Sequence, residues 1–254
     1  MKTRSLTELF FLMGLLAAFA IATGPFLSAG QDKNSDLVKS RIEEKFKQQG
    51  LLPGNDIRVT VENNNVTLTG TVRTLAVKGL AGREAQSVAE GFKIVNDLAL
   101  VNPGLTPLQI AERIMAAIDE SAAYFIFDYV DVSVGAEGVA TLKGWASHSW
   151  SAIEFVKVAE SQPGVTKVEN DIKRALTGGS DRTLRIQVAQ LIYALPIGRK
   201  FSRMRGLIHI LVSSGVVTLA GIVDKQSDSE RFERLVRFNT GASSVVNMLQ
   251  VKKK

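Results

Sequence analysis

Cysteine is absent from the 254 residues, and histidine occurs only twice. The first absence excludes structural disulfides, a thiolate zinc site and a lipid-modified N-terminal cysteine, and it leaves the redox compartment undecided. The second leaves little material for acid–base catalysis or imidazole ligation. His148 stands between Ser147 and Ser149, and His209 lies in the apolar run 207–212. No glycine elbow surrounds the serines, so His148 is expected in a turn or capping role, and His209 is expected to be a sheet histidine. Glu43 and Glu44, and Asp119 and Glu120, fall on or at the end of helical stretches, where a solvated surface is the expectation. No catalytic residue, no metal site and no cofactor follows from this inventory, so the chain is expected not to be an enzyme.

A long uncharged run occurs at the N-terminus. Lys2 and Arg4 precede residues 9–29, which carry no charge, and polar residues resume at 31. A basic start, an apolar stretch and small residues at 20 and 22, or at 28 and 30, describe a secretory signal peptide over residues 1–30. An uncleaved N-terminal anchor is the alternative, because about 20 apolar residues can span a bilayer, although Gly24 and Pro25 would interrupt such a helix. The expected location is periplasmic, peripheral to a membrane, or else anchored there by the N-terminal helix.

After residue 30 one phrase is written three times: VTLTG at 66–70, ATLKG at 140–144 and VTLAG at 217–221. Each ends on a glycine, Gly70, Gly144 or Gly221, and each glycine is followed 26 residues later by an asparagine, Asn96, Asn170 or Asn247. A period of 74 and then 77 residues makes each unit a small domain rather than a solenoid blade. The expected division is 31–102, 103–178 and 179–254. Units of this size bury a modest share of their surface, so packing between units is expected to contribute to stability.

Within each unit the periodicity repeats. A helix opens it. Ser35 or Asp36 caps the first, with Val38, Ile42 and Phe46 as its stripe; Thr106 and Pro107 start the second, with Ile110, Ile114 and Ile118; Asp181 leads into Leu184, Val188 and Leu191 in the third. Two short extended runs follow, separated by asparagine, glycine or serine, and read as a β-hairpin. In its second strand Val66, Leu68 and Val72, Ala140, Leu142 and Ala146, and Val217, Leu219 and Val223 share one face, which is assigned to the core. The glycine shares that face, so either a helix packs there too closely for a Cβ or the strand bends. A second helix carries Ala81 and Ala85, Phe155 and Ala159, or Phe232 and Val236 one turn apart, and a last strand runs around 94–101, 168–172 or 245–251. The fold class is therefore α+β: three tandem α-β-β-α-β units, each a three-stranded sheet with two helices packed on one face.

The alternating strand ending in Val-Thr-Leu-x-Gly, the helix of about 15 residues and the element GVTKVEN at 164–170 resemble the BON domain. Three copies would cover nearly all of the chain after residue 30. The resemblance implies an exported, non-enzymatic protein that associates with phospholipid membranes or other envelope components, in keeping with a stress response. Units one and three depart from the pattern, since Ile94-Val95-Asn96 and Val245-Val246-Asn247 lack the acidic residue present in Val168-Glu169-Asn170.

Charge separates the units. Residues 31–102 hold 10 basic and 9 acidic side chains, residues 103–178 hold 6 and 10, and residues 179–254 hold 13 and 5. The excess lies in Arg199, Lys200, Arg203 and Arg205, with Phe201 and Met204 interleaved, and in Arg231, Arg234 and Arg237 on the second helix of unit three. Four cations in seven residues without an acid repel one another unless something anionic faces them. An anionic phospholipid surface is the expected partner, at about 1 kcal/mol per cation; nucleic acid is not expected for an exported protein. The rival expectation is a protein-binding scaffold or envelope adaptor built on unit two, with Trp145 and Trp150 as contact residues. Asp119, Glu120, Asp128 and Asp131 could also dock on the basic loop, within a chain or by self-association of units two and three.

Overall fold

The structure is a computed structural model that describes residues 26–175, 178–194, 196, 198 and 208–252. Each unit has the expected order. Unit one contains α1 (Phe26–Gln48), the hairpin β1 (Asp56–Glu62) and β2 (Asn65–Val72), α2 (Leu75–Val88), β3 (Lys93–Asn96) and β4 (Ala99–Leu100). Unit two contains α3 (Pro107–Asp119), β5 (Tyr129–Val134), β6 (Val139–Ala146), α4 (Ser149–Glu160) and β7 (Lys167–Arg174). Unit three contains α5 (Gly179–Ala194), β8 (His209–Ser213), β9 (Val216–Val223), α6 (Gln226–Asn239) and β10 (Ser244–Val251). Among the described residues no helix is long and apolar enough to cross a membrane.

In every sheet the second strand is central, antiparallel to its hairpin mate and parallel to the last strand. Hairpin chemistry follows from the turn residues: Asn63 and Asn64 have φ of 47° and 62°, and Ser214 and Gly215 have φ of 52° and 76°. Two successive left-handed residues give the turn whose twist matches paired strands.

The predicted core faces are the observed ones. Val66, Leu68, Val72, Ala140, Leu142, Ala146, Val217, Leu219 and Val223 are all buried, under helices contributing Ile42 and Phe46, Ile114 and Phe155, or Val188 and Phe232. Thr106 caps α3 with a full capping box, its hydroxyl accepting from Gln109 N while the Gln109 side chain accepts from Thr106 N.

The repeated glycine takes a positive φ, and at Gly70 and Gly144 it is the neighbouring strand, not a helix, that leaves no room for a Cβ. Gly70, Gly144 and Gly221 have φ of 112°, 139° and 130°. The atom a Cβ would meet is a carbonyl oxygen of the neighbouring strand, that of Asp56 for Gly70 and that of Tyr129 for Gly144. The repeated asparagine is a staple. Asn96 Nδ2 donates to Lys78 O at 2.8 Å, and Asn247 Nδ2 donates to Ser229 Oγ at 2.9 Å, tying the last strand to the second helix in units one and three. Asn170 Oδ1 accepts from Ile172 N, and Asn247 Oδ1 from Leu249 N, each at 3.1 Å.

Three expectations are corrected. Ser35 and Asp36 do not cap α1 but lie inside it, because no proline after Pro25 stops the helix from reaching back to Phe26. The buried position in α5 is Ile192 rather than Leu191, since the stripe advances by four residues through Leu184 and Val188. Asp181 belongs to α5 but serves the hairpin: its carboxylate accepts from Ser214 N and Gly215 N at 2.7 and 2.8 Å. The last strand of unit one is also interrupted, with Leu98 turned into the core between β3 and β4.

Candidate functional site

Arg199, Lys200, Phe201, Arg203 and Arg205 lie outside the described residues. The remaining cationic candidates sit on α6, which buries Ser229, Phe232 and Val236 and turns its other side to solvent. The three arginines do not form one row, because a step of three residues turns by 300° and drifts around the helix. Arg237 is drawn back to Glu233 at 2.6 Å and Arg234 approaches Glu230 at 3.6 Å, whereas Arg231 forms no ion pair among the described residues. Arg231, Arg234 and Phe238 share a stripe at spacings of three and four. Phe238 is 75% exposed. Its exposure could have been suspected from its place two positions after buried Val236, off the face that Phe232, Leu235 and Val236 turn to the core.

Unit two presents a different surface. Trp150 is 51% exposed and Ile153, three residues on, is 57% exposed; the Trp150 ring stacks on His148 with centroids 5.7 Å apart. His148 occupies the N-cap position of α4 but makes no side-chain capping bond. Its Nδ1 meets Ser147 Oγ at 3.0 Å, and that hydroxyl donates to Asp128 Oδ1 at 2.8 Å. This order is unlike a hydrolytic triad, in which the carboxylate holds the imidazole and not the hydroxyl. Asp128 is fully buried and also accepts from Phe125 N and Ser147 N, so it is a loop anchor and not a docking acid. Asp119 ends α3, Glu120 is its C-cap, and Asp131 lies exposed on β5.

Trp145 is on the sheet face opposite the core, as expected, but it is not an open contact residue. It is buried against Ala175 and Ala220, with Tyr129 and Leu211 packed beside it, so its partner is unit three of the same chain. The loop 124–128 completes that junction. Ile126 O accepts from Ile210 N at 2.7 Å on the edge of β8, Ile126 and Phe127 pack against the third core, and the Arg185 guanidinium lies 4.3 Å from the Phe127 ring centre.

His209 is in a strand, as expected, and lies within this junction. Its ring packs against Tyr124 and Tyr129 of unit two. Nδ1 lies 3.2 Å from Phe125 O, and because a carbonyl only accepts, that nitrogen carries the proton. Burial pushes its pKa down to about 4, against smaller opposing effects of the Phe125 and Asp128 backbones. Burial likewise pushes the Tyr124 and Tyr193 phenols up; Tyr193 donates to Ile208 O at 2.7 Å and accepts from Ile208 N at 2.9 Å. No group of three or more metal-binding side chains occurs among the described residues.

A family model described as "BON domain" matches this chain at residues 34–102, 108–175 and 205–253. Osmotically-inducible protein Y of Escherichia coli (strain K12) is 25% identical over 197 residues, covering 74% of this chain and 93% of the relative. Among solved structures, CdsD, a structural protein of the Type III secretion system of Chlamydia trachomatis, aligns at 13% identity with a TM-score of 0.25, covering 85% of this chain and 92% of that one. The PrgH periplasmic domain aligns at 13% identity with a TM-score of 0.22, covering 81% and 100%. Scores this low carry no functional inference.

Proposed function

Because this chain belongs to the BON domain family, with three matched copies, we propose that it is an exported, non-enzymatic envelope protein that associates peripherally with anionic phospholipid surfaces through its third unit. The observation that carries this reading is Phe238, an exposed aromatic on the same stripe of α6 as Arg231 and Arg234. A cationic helix face with a projecting aromatic suits the interface of an anionic bilayer: the guanidinium groups meet headgroup phosphates and the ring enters the acyl boundary. The Arg199 to Arg205 segment would add four cations and Phe201. At about 1 kcal/mol per cation such binding is reversible and weakened by salt. The name of the Escherichia coli relative records osmotic induction, which supports a stress-related role for this chain, and the signal-like N-terminus supports export.

The test is co-sedimentation of residues 31–254 with vesicles of anionic and of zwitterionic lipid across a salt series, using the parent protein and the variant Arg231→Gln/Arg234→Gln/Phe238→Ala. Salt-sensitive binding to anionic vesicles that the variant weakens tenfold or more supports the proposal; equal binding by both proteins, or none by either, overturns it. A protein-binding scaffold role is the second reading, and exposed Trp150 and Ile153 on α4 favour it.

A further inference from the structure

The last strand lies at the edge of each sheet, and the three edges differ. In unit one it is broken into the short β3 and β4. In unit two β7 is continuous but charged, with Lys167, Glu169, Asp171, Lys173 and Arg174. In unit three β10 runs unbroken for 8 residues, Ser-Val-Val-Asn-Met-Leu-Gln-Val, without a charge. Interruption and charge are two devices by which sheets prevent edge-to-edge association, and β10 has neither.

The neighbouring face is apolar as well. Val246 and Met248 on β10, and Ile222 on β9, lie on the side opposite the core and are about half exposed. They continue the patch formed by Leu211 and Ala220, which Trp145 and Tyr129 of unit two cover. Ile222 stands one residue after its repeat glycine, the position that Trp145 holds in unit two. The opposite edge of the same sheet, on β8, meets Ile126 of unit two, whereas no strand among the described residues pairs with the outer edge of β10.

We propose that β10 is a self-association edge, pairing antiparallel with β10 of a second copy of this chain to join two sheets across a two-fold axis. The strand is self-complementary. Antiparallel pairing centred on Asn247 sets Val246 of one copy opposite Met248 of the other on the outer face, and Val245 opposite Leu249 on the inner face. The same operation on β7 about Asn170 sets Lys167 opposite Lys173 and Glu169 opposite Asp171, like charges in both cases. A second copy is therefore admitted at unit three and refused at unit two, and the isologous contact closes at a dimer. One edge donor, Leu249 N–H, is already held by Asn247 Oδ1, so pairing exchanges that bond for one between strands. This surface is separate from the arginine and Phe238 stripe of α6, so dimerisation does not depend on lipid binding.

Sedimentation equilibrium of the full chain over a concentration series reads the proposal. A monomer–dimer equilibrium is expected, and Val246→Lys/Met248→Lys should raise the dissociation constant roughly tenfold or more by placing ammonium groups on the pairing edge. Both side chains are exposed, so the variant is expected to keep its circular dichroism spectrum. The native chain has no cysteine, which permits a register test. Val246→Cys protein mixed with Met248→Cys protein should form a mixed disulfide under mild oxidation, in excess over each alone and over a mixture of Glu169→Cys with Asp171→Cys. A monomer at every concentration, an unchanged dimer in the lysine variant, or no excess of the mixed disulfide overturns the proposal.

Discussion

The ring of His209 in β8 lies 4.8 Å, centroid to centroid, from that of Tyr124 in the preceding unit. Burial in this junction holds the imidazole neutral, with a pKa of about 4 against the ordinary 6.5. The unfolded chain therefore binds a proton that the folded chain refuses between those values. Stability from this group is complete above pH 6.5 and falls as pH drops toward 4, with a total loss of about 3 kcal/mol at 1.36 kcal/mol per pH unit. Urea unfolding across this range should show the loss, and His209→Asn should remove that component while leaving the carboxylate-driven decline below it.

Gly144 tests the close approach of the neighbouring strand. With φ of 139° and the Tyr129 carbonyl where a Cβ would sit, Gly144→Ala is expected to cost at least the 1–3 kcal/mol typical of a strained backbone. Gly91 also has a positive φ, 84°, but open space around it, so Gly91→Ala should cost only the strain of a left-handed backbone, about 1–2 kcal/mol. Equal unfolding free energies for the two variants would show that the carbonyl contact is unimportant.

Asp181 couples the first helix of unit three to its hairpin turn through two amide bonds. Asp181→Ala leaves both donors without their charged acceptor and should destabilise the protein by about 1.5–3 kcal/mol. Chemical denaturation checks the size, and Asp181→Asn should recover part of the loss because its side-chain oxygen still accepts.

Trp145 fills the junction, yet its Nε1 is buried without a hydrogen-bond partner among the described residues. Trp145→Ala is expected to cost about 3–5 kcal/mol through the cavity it leaves. Trp145→Phe keeps most of the contact and removes the orphaned donor, so it should change stability by less than about 1.5 kcal/mol. A loss of more than 3 kcal/mol in the phenylalanine variant would contradict this account.

Local rules accounted for the repeated units. Period-two alternation assigned Leu68, Leu142 and Leu219 to the core, asparagine, serine and glycine between extended runs marked the hairpins, and Thr106 with Pro107 announced a helix start. Each of these depends on residues close in the chain, so periodicity and cap chemistry suffice. The outer face of each sheet was legible only as a face. Trp145 and Ile222 hold the same place after their glycines, but one is buried and the other exposed, because unit three covers the first and no described residue covers the second.

The sequence by itself determined three α+β units, their core strands, and the concentration of positive charge in the last. Tertiary structure alone decided that His209 is held neutral between two tyrosines of another unit, that Asp181 serves a turn 33 residues away, and that Trp145 is covered by unit three. The physical reason is that burial and electrostatic environment arise from contacts between distant segments, which local periodicity does not encode.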